Sequence, residues 1–148
     1  MDDFDRRLLN ELQRDNRQSY DRLAEAVNLS PTAVRRRVTA MRKRGVIAKD
    51  VSILAPAASG VTVIVSVRFE KESHATYRAF KDKMLALPEV TQCYAVSGEV
   101  DFILIAQMPD LAAWDRWIDE HLLSDDSLAR STTNIVTSEV KFETAVPV

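Results

Sequence analysis

The chain has 148 residues, 46% hydrophobic and 28% charged, which excludes wholesale disorder and leaves room for one ordinary domain or two small ones. No run approaches the roughly 18 apolar residues of a membrane span, the start Met1-Asp2-Asp3-Phe4-Asp5 is no secretory leader, and the single Cys93 excludes an internal disulfide, so a cytoplasmic protein without a membrane partner is expected. The net charge of −2 argues against a polyanionic partner only until it is divided: residues 1–50 carry twelve Lys/Arg against eight Asp/Glu, residues 51–148 eight against fourteen, and residues 26–49 hold seven bases and no acid.

Phe4, Leu8, Leu9 and Leu12 recur at helical spacing and predict a first helix from residue 4 to about 14, with Asp3 and Asp5 suited to its positive end. Ser19 is an N-cap candidate for a short second helix whose apolar face is Tyr20, Leu23, Ala24 and Val27. Asn28 stops it, since Asn tolerates positive φ better than other side chains. Ser30-Pro31 then starts a third helix, a hydroxyl cap followed by proline where its missing N–H costs nothing. Val34, Val38 and Met41 mark the buried stripe of this helix, and Gly45 ends it. Thr32, Arg36, Thr39 and Lys43 fall on the opposite side, flanked by Arg35 and Arg42.

Two helices joined by a tight turn, the second presenting Arg and Thr outward, fit a helix-turn-helix that enters the DNA major groove. Arg pairs bidentately with guanine and Thr meets base edges or a thymine methyl, while bases near the helix end neutralise phosphate. The expected DNA contacts are Ser30, Thr32, Arg35, Arg36, Arg37, Thr39, Arg42 and Lys43. The competing reading is a three-helix bundle with a solvated basic face.

Beyond Val46 and Ile47 the chain is expected to be extended through Val51, Ile53 and Leu54, with a linker over residues 51–60 ending in Ala55-Pro56-Ala57-Ala58-Ser59-Gly60. Residues 61–69 alternate as a strand, with Val61, Val63, Val65, Val67 and Phe69 on one side and Thr62, Ile64, Ser66 and Arg68 on the other. Ser73 caps a helix bearing Tyr77, Phe80, Met84 and Leu87, and Pro88 stops it. A strand from Val90 to Val96, a turn over residues 97–100 and a strand from Asp101 to Met108 follow. Leu111, Trp114, Trp117, Ile118 and Leu122 define a helix, and Thr132 to Phe142 a last strand. Cys93, in mid-strand, reads as a small core residue.

The fold class expected is α+β: a winged helix-turn-helix of three helices over residues 1–50, then over 61–148 a ferredoxin-like βαββαβ domain with an antiparallel four-stranded sheet. Apolar residues on both sheet faces predict a partner sheet and hence a homodimer, which would also place two reading heads on two half-sites.

Taken together the chain resembles the Lrp/AsnC (feast/famine) family of transcriptional regulators, over essentially its whole length. The resemblance rests on Asp5-Arg6 with Leu8-Leu9 and Leu12, Leu29-Ser30-Pro31-Thr32 with Arg37-Val38, Gly45-Val46-Ile47, residues 96–101 (Val-Ser-Gly-Glu-Val-Asp), and Glu139-Val140-Lys141. It implies a sequence-specific transcriptional regulator, a C-terminal domain for effector binding and assembly, association of dimers to octamers, and an amino acid or related small molecule as effector at a subunit interface. The implied effector residues are Ser97, Gly98, Glu99 and Asp101, with Thr133 on the last strand. Glycine at 98 lets a ligand approach the backbone, and carboxylates suit an α-ammonium group; the plainer reading is a β-turn with solvated acids.

Some positions depart from the family pattern. Asn28 stands where glycine is common, Glu99 replaces the usual aspartate of the loop, and Arg35-Arg36-Arg37 is unusually basic. Some relatives of the family are decarboxylases of the haem pathway that use His and Arg. Here His74 and His121 lie far apart without partners at metal-ligand spacing, so neither catalysis, nor a metal, nor a cofactor is expected. A third reading is a chromatin-like protein that binds DNA without sequence preference.

Overall fold

The computed structural model describes residues 1–55, 58, 60–71 and 73–148; Pro56, Ala57 and Ser59 of the expected linker lie outside that set. The chain divides into two compact units, one formed by Met1–Ile53 with Val140–Val148, the other by Leu54–Glu139.

The first unit holds α1 (Asp3–Arg14), α2 (Tyr20–Val27) and α3 (Pro31–Lys43). Asp2 and Asp5 form a reciprocal capping box: the Asp2 carboxylate accepts the Asp5 N–H and the Asp5 carboxylate accepts the Asp2 N–H. Ser19 and Ser30 cap α2 and α3 as their positions foretold, accepting from the N–H of Arg22 and Ala33. Asn28 adopts the left-handed conformation, φ 57° and ψ 52°, and the chain reverses within three residues. Leu8, Leu9, Leu23, Ala24, Val27, Val34, Val38 and Met41 form the core that these caps bring together. Across it, the Arg7 guanidinium donates to the Ala26 carbonyl at the end of α2, 2.9 Å away.

The stretch after α3, expected to be extended with a wing, carries no strand among the described residues. A second difference concerns the domain boundary. Residues 140–148, assigned by their position in the sequence to the sheet domain, pack in the first unit. There the Gln13 amide donates to the Val146 carbonyl (3.0 Å) and accepts the Val146 N–H (2.7 Å), a pairing between residues too distant in sequence to be read from local pattern.

The second unit holds β1 (Val61–Phe69), α4 (His74–Ala86), β2 (Val90–Ala95), β3 (Phe102–Met108), α5 (Leu111–Ile118) and β4 (Leu128–Ile135). The sheet is antiparallel in the order β2-β3-β1-β4, that of a ferredoxin-like βαββαβ domain. Gly60 leads into β1 at φ +75°, where a Cβ would collide with the Met108 carbonyl. Val63, Val65, Val67 and Phe69 of β1 and Phe102, Leu104, Ala106 and Met108 of β3 bury one face against Phe80 and Met84 of α4 and Trp114 and Trp117 of α5. After Ile118 a π turn, Asp119–Leu123, keeps Leu122 on the buried side five residues after Trp117.

Two expectations are corrected. The last strand is Leu128–Ile135, not Thr132–Phe142. Its pairing with β1 runs from Phe69↔Leu128 to Val63↔Ile135, followed by one more bond from the Val136 N–H to the Thr62 carbonyl. Cys93 is exposed: it stands on β2, at the sheet edge, where a mid-strand position does not imply burial.

Candidate functional site

The outward face of α3 follows from its buried one. With Val34, Val38 and Met41 turned inward, Thr32, Arg36, Thr39 and Lys43 stand exposed along the other side, and none of their side chains has a hydrogen bond or ion pair to a described residue. Ser30 is engaged as the cap. Arg35 is exposed, its guanidinium 5.5 Å from the centre of the Tyr20 ring on α2.

The other two arginines are held by acids that local pattern does not reveal. Arg37 Nη1 donates to Asp2 Oδ2 and Asp5 Oδ1, both at 2.8 Å, with the Phe4 ring 5.6 Å from its guanidinium carbon. These hydrogen bonds raise the Arg37 pKa further. Asp2, held first by the Asp5 N–H and then by Arg37, titrates below the usual carboxylate range. Arg42 forms a two-point pair with Asp50, Nε to Oδ2 3.1 Å and Nη2 to Oδ1 3.3 Å, which raises its pKa too. This pair is open to solvent, whereas the Asp5 side chain is only 10% exposed. Sequence reasoning set Arg35, Arg36 and Arg37 side by side; the fold sends them to three different environments. Asp2, Phe4, Asp5 and Asp50 were missed as partners, and only the Asp3/Asp5 helix-start signal pointed toward this cluster.

In the second unit the loop 97–100 closes a hairpin, Val96 N–H donating to the Asp101 carbonyl at 3.0 Å. Ser97 and Glu99 are exposed, and Gly98 has φ +148°, backbone that favours glycine. Asp101 differs from the expectation of a carboxylate awaiting an ammonium group. Its Oδ2 accepts the Phe69 N–H at 2.7 Å and its Oδ1 accepts the Tyr77 hydroxyl. The half-buried acid thus fastens the end of β1 and the α4 tyrosine to the start of β3, over an aromatic cluster of Phe69, Tyr77, Phe80 and Phe102. Each carboxylate oxygen keeps a further lone pair that can accept an added donor.

Thr133 lies on β4 opposite Val65, with its Oγ1 buried and lacking a hydrogen-bond partner among the described residues. The sheet order puts β1 between β3 and β4, so Thr133 and the loop are about 10 Å apart laterally and are not brought together within one chain. The face away from the helices carries half-buried Ile64, Ile103 and Ile105, bordered by Thr62, Ser66, Gln107 and exposed Thr132 and Asn134.

His121 packs its ring 5.0 Å from that of Trp117, and His74 is exposed in the first turn of α4. Among the described residues no three His, Cys, Asp or Glu side chains are grouped to hold a metal, and no helix is long and apolar enough to cross a membrane. A cleft in the first unit, lined in part by Leu9, Leu12, Ile47 and Val146, includes no residue of α3.

Comparison with known proteins gives one consistent picture. The AsnC-type helix-turn-helix domain model matches residues 1–42, and the Lrp/AsnC ligand binding domain model matches residues 62–146. The leucine-responsive regulatory protein of Klebsiella pneumoniae is 32% identical, over 95% of this chain and 87% of its own. The crystal structure of an AsnC family transcriptional regulator from Agrobacterium tumefaciens superposes with a TM-score of 0.91 at 32% identity, covering 99% of this chain and 97% of that one. A transcriptional regulator of Neisseria meningitidis in complex with L-Met also gives 0.91, at 27% identity and 99% and 96% coverage.

Proposed function

This chain belongs to the Lrp/AsnC family of transcriptional regulators, a DNA-binding regulator with a ligand-binding domain, and from that premise we propose how its own residues divide the task. Thr32 and Arg36, near the start of α3, read base edges in the major groove, with Arg35 beside them. Thr39 and Lys43 follow the groove outward, and Lys43 neutralises phosphate. The observation that carries this assignment is the stripe Thr32, Arg36, Thr39 and Lys43, exposed and unengaged on a helix whose Arg37 and Arg42 are already paired with acids.

The effector in this reading is an amino acid. The L-Met complex of the Neisseria neighbour and the leucine response named for the Klebsiella relative support that class. In this chain Ser97, Gly98 and Glu99 form the accessible wall of the site, Asp101 sets the loop's position, and Thr133 supplies a buried hydroxyl still lacking a partner. Loop and Thr133 stand on opposite sides of β1, and Thr133, registered with Val65, turns its hydroxyl to the helix side, so in this reading a second subunit completes the site at the loop wall of Ser97, Gly98 and Glu99. The apolar strip Ile64, Ile103 and Ile105 supports a homodimer through the open sheet face, associating further to an octamer. The protein works on DNA in the cytoplasm, without catalysis, cofactor or metal.

A thermal-shift screen of the full-length protein against the twenty amino acids, with sedimentation of wild type and Ile105→Asp, tests this reading. A shift with at least one amino acid and a dimer lost in the variant are expected. No shift with any of them removes the amino-acid assignment, and a monomeric wild type removes the shared site.

A further inference from the structure

Arg37 is exposed only in part, and its single nitrogen Nη1 lies 2.8 Å from one oxygen of Asp2 and 2.8 Å from one of Asp5. The other oxygen of each acid belongs to the capping box: Asp2 Oδ1 accepts from the Asp5 N–H, and Asp5 Oδ2 from the Asp2 N–H. All four carboxylate oxygens of Asp2 and Asp5 are therefore engaged, and the network ends on α3. We propose that Arg37 is a positioning residue for DNA reading: through Asp2 and Asp5 it fixes the roll of α3, so that Thr32 and Arg36 meet the base edges in register. The inference rests on α3 being the reading helix.

The physical need is one of precision. Apolar stripes such as Val34, Val38 and Met41 set helix orientation only loosely, interaxial angles within one packing class scattering by roughly 15–20°. At a side-chain radius of about 5–6 Å, a 20° roll displaces a reading group by about 2 Å. Base readout does not tolerate that, because donor and acceptor must meet within about 2.7–3.2 Å. A polar contact to a nearly buried carboxylate does restrict the roll, since N–H···O bonding weakens steeply with misalignment. Arg36 and Arg37 are adjacent in sequence and about 100° apart around the axis, so pinning one aims the other. Arg42 differs: its pair with Asp50 is open to solvent on both sides and is worth little. Taking Arg37 for phosphate would instead strip two acids of their counter-charge, one of them 10% exposed.

The test uses the full-length protein, a duplex selected by the wild type from a random pool, and a shuffled duplex of equal length. Arg37→Gln, Asp5→Asn and the double variant are compared for affinity on both duplexes across a salt series. A positioning role is expected to lower the selected-over-shuffled ratio about tenfold or more in each single variant. The double variant falls no further than the worse single, and the salt slope on the shuffled duplex stays at its wild-type value. Arg37→Lys, whose one nitrogen can face both acids, should keep the ratio within about threefold of wild type. A direct phosphate contact predicts the reverse signs and overturns the proposal: Arg37→Gln weakens both duplexes alike and lowers the slope by about one, while Asp5→Asn releases Arg37 and tightens both. Should Arg37→Gln lose helix content by circular dichroism, the nearly isosteric Asp5→Asn decides: a fallen ratio supports the proposal, and an unchanged ratio or tighter binding overturns it. A wild-type ratio of one, seen before any variant is made, removes sequence reading by α3 itself and the inference with it.

Discussion

α3 and the loop 97–101 both present charged residues in a pattern that reads as a binding surface, and the fold treats them in opposite ways. On α3 the residues chosen for their outward spacing remain available, and of the charges off that line Arg37 and Arg42 are paired with acids while Arg35 lies over the Tyr20 ring. In the loop the residue with the strongest chemical case, Asp101, is held by the protein's own Phe69 N–H and Tyr77 hydroxyl, while exposed Glu99 is left to solvent. A charged side chain is a recognition group only when the fold has not already supplied its counterpart. Position on a helix face predicts that well; position at the rim of a sheet predicts it poorly, because strand ends carry backbone N–H groups that seek an acceptor.

The sharpest way to break this contrast is Asp101→Ala. Loss of the acceptor for Phe69 N–H and for Tyr77 should destabilise the second unit by about 2–4 kcal/mol in urea unfolding, since two charge-assisted bonds go and the Phe69 N–H is left without its acceptor. Glu99→Ala should change stability by less than about 0.5 kcal/mol. Equal effects from the two would show that Asp101 does not hold the loop. Next comes Arg36→Ala, expected to cost about 1–3 kcal/mol on the selected duplex and far less on random DNA. An equal loss on both would reduce Arg36 to a phosphate contact and erase the distinction between the reading and neutralising ends of α3. Lys43→Ala marks that second end: affinity should fall alike for all sequences and the salt slope by about one, and an unchanged slope would remove its phosphate.

The smallest effect concerns acid. Asp2 is held below its ordinary pKa of 3.8, so its contribution to the folded state is complete above that value. It is lost as the pH falls through the lower, folded value. Asp2→Asn should therefore lower stability slightly at pH 5–7, and its difference from wild type should shrink as the pH falls below 3.8. A difference that grows toward acid would contradict the sign.

The features legible in the residues alone follow short-range rules. Ser19, Ser30 and Ser73 cap because a hydroxyl reaches an N–H three residues on, and Asn28 turns the chain because its backbone tolerates positive φ. The alternation of residues 61–69 and the spacing of Val34, Val38 and Met41 fixed the buried faces, and with them the outward stripe of α3. Tertiary structure alone decided where each strand stopped and which charges met. β4 parts from β1 just beyond Val63↔Ile135, and Cys93 is exposed on β2, an edge strand. Arg37 finds Asp5 across 32 residues, and Asp101 finds Phe69 across 32 in the other unit. Neither pairing has a sequence period, because each depends on how separately formed elements pack, and packing brings together residues that the local rules never compare.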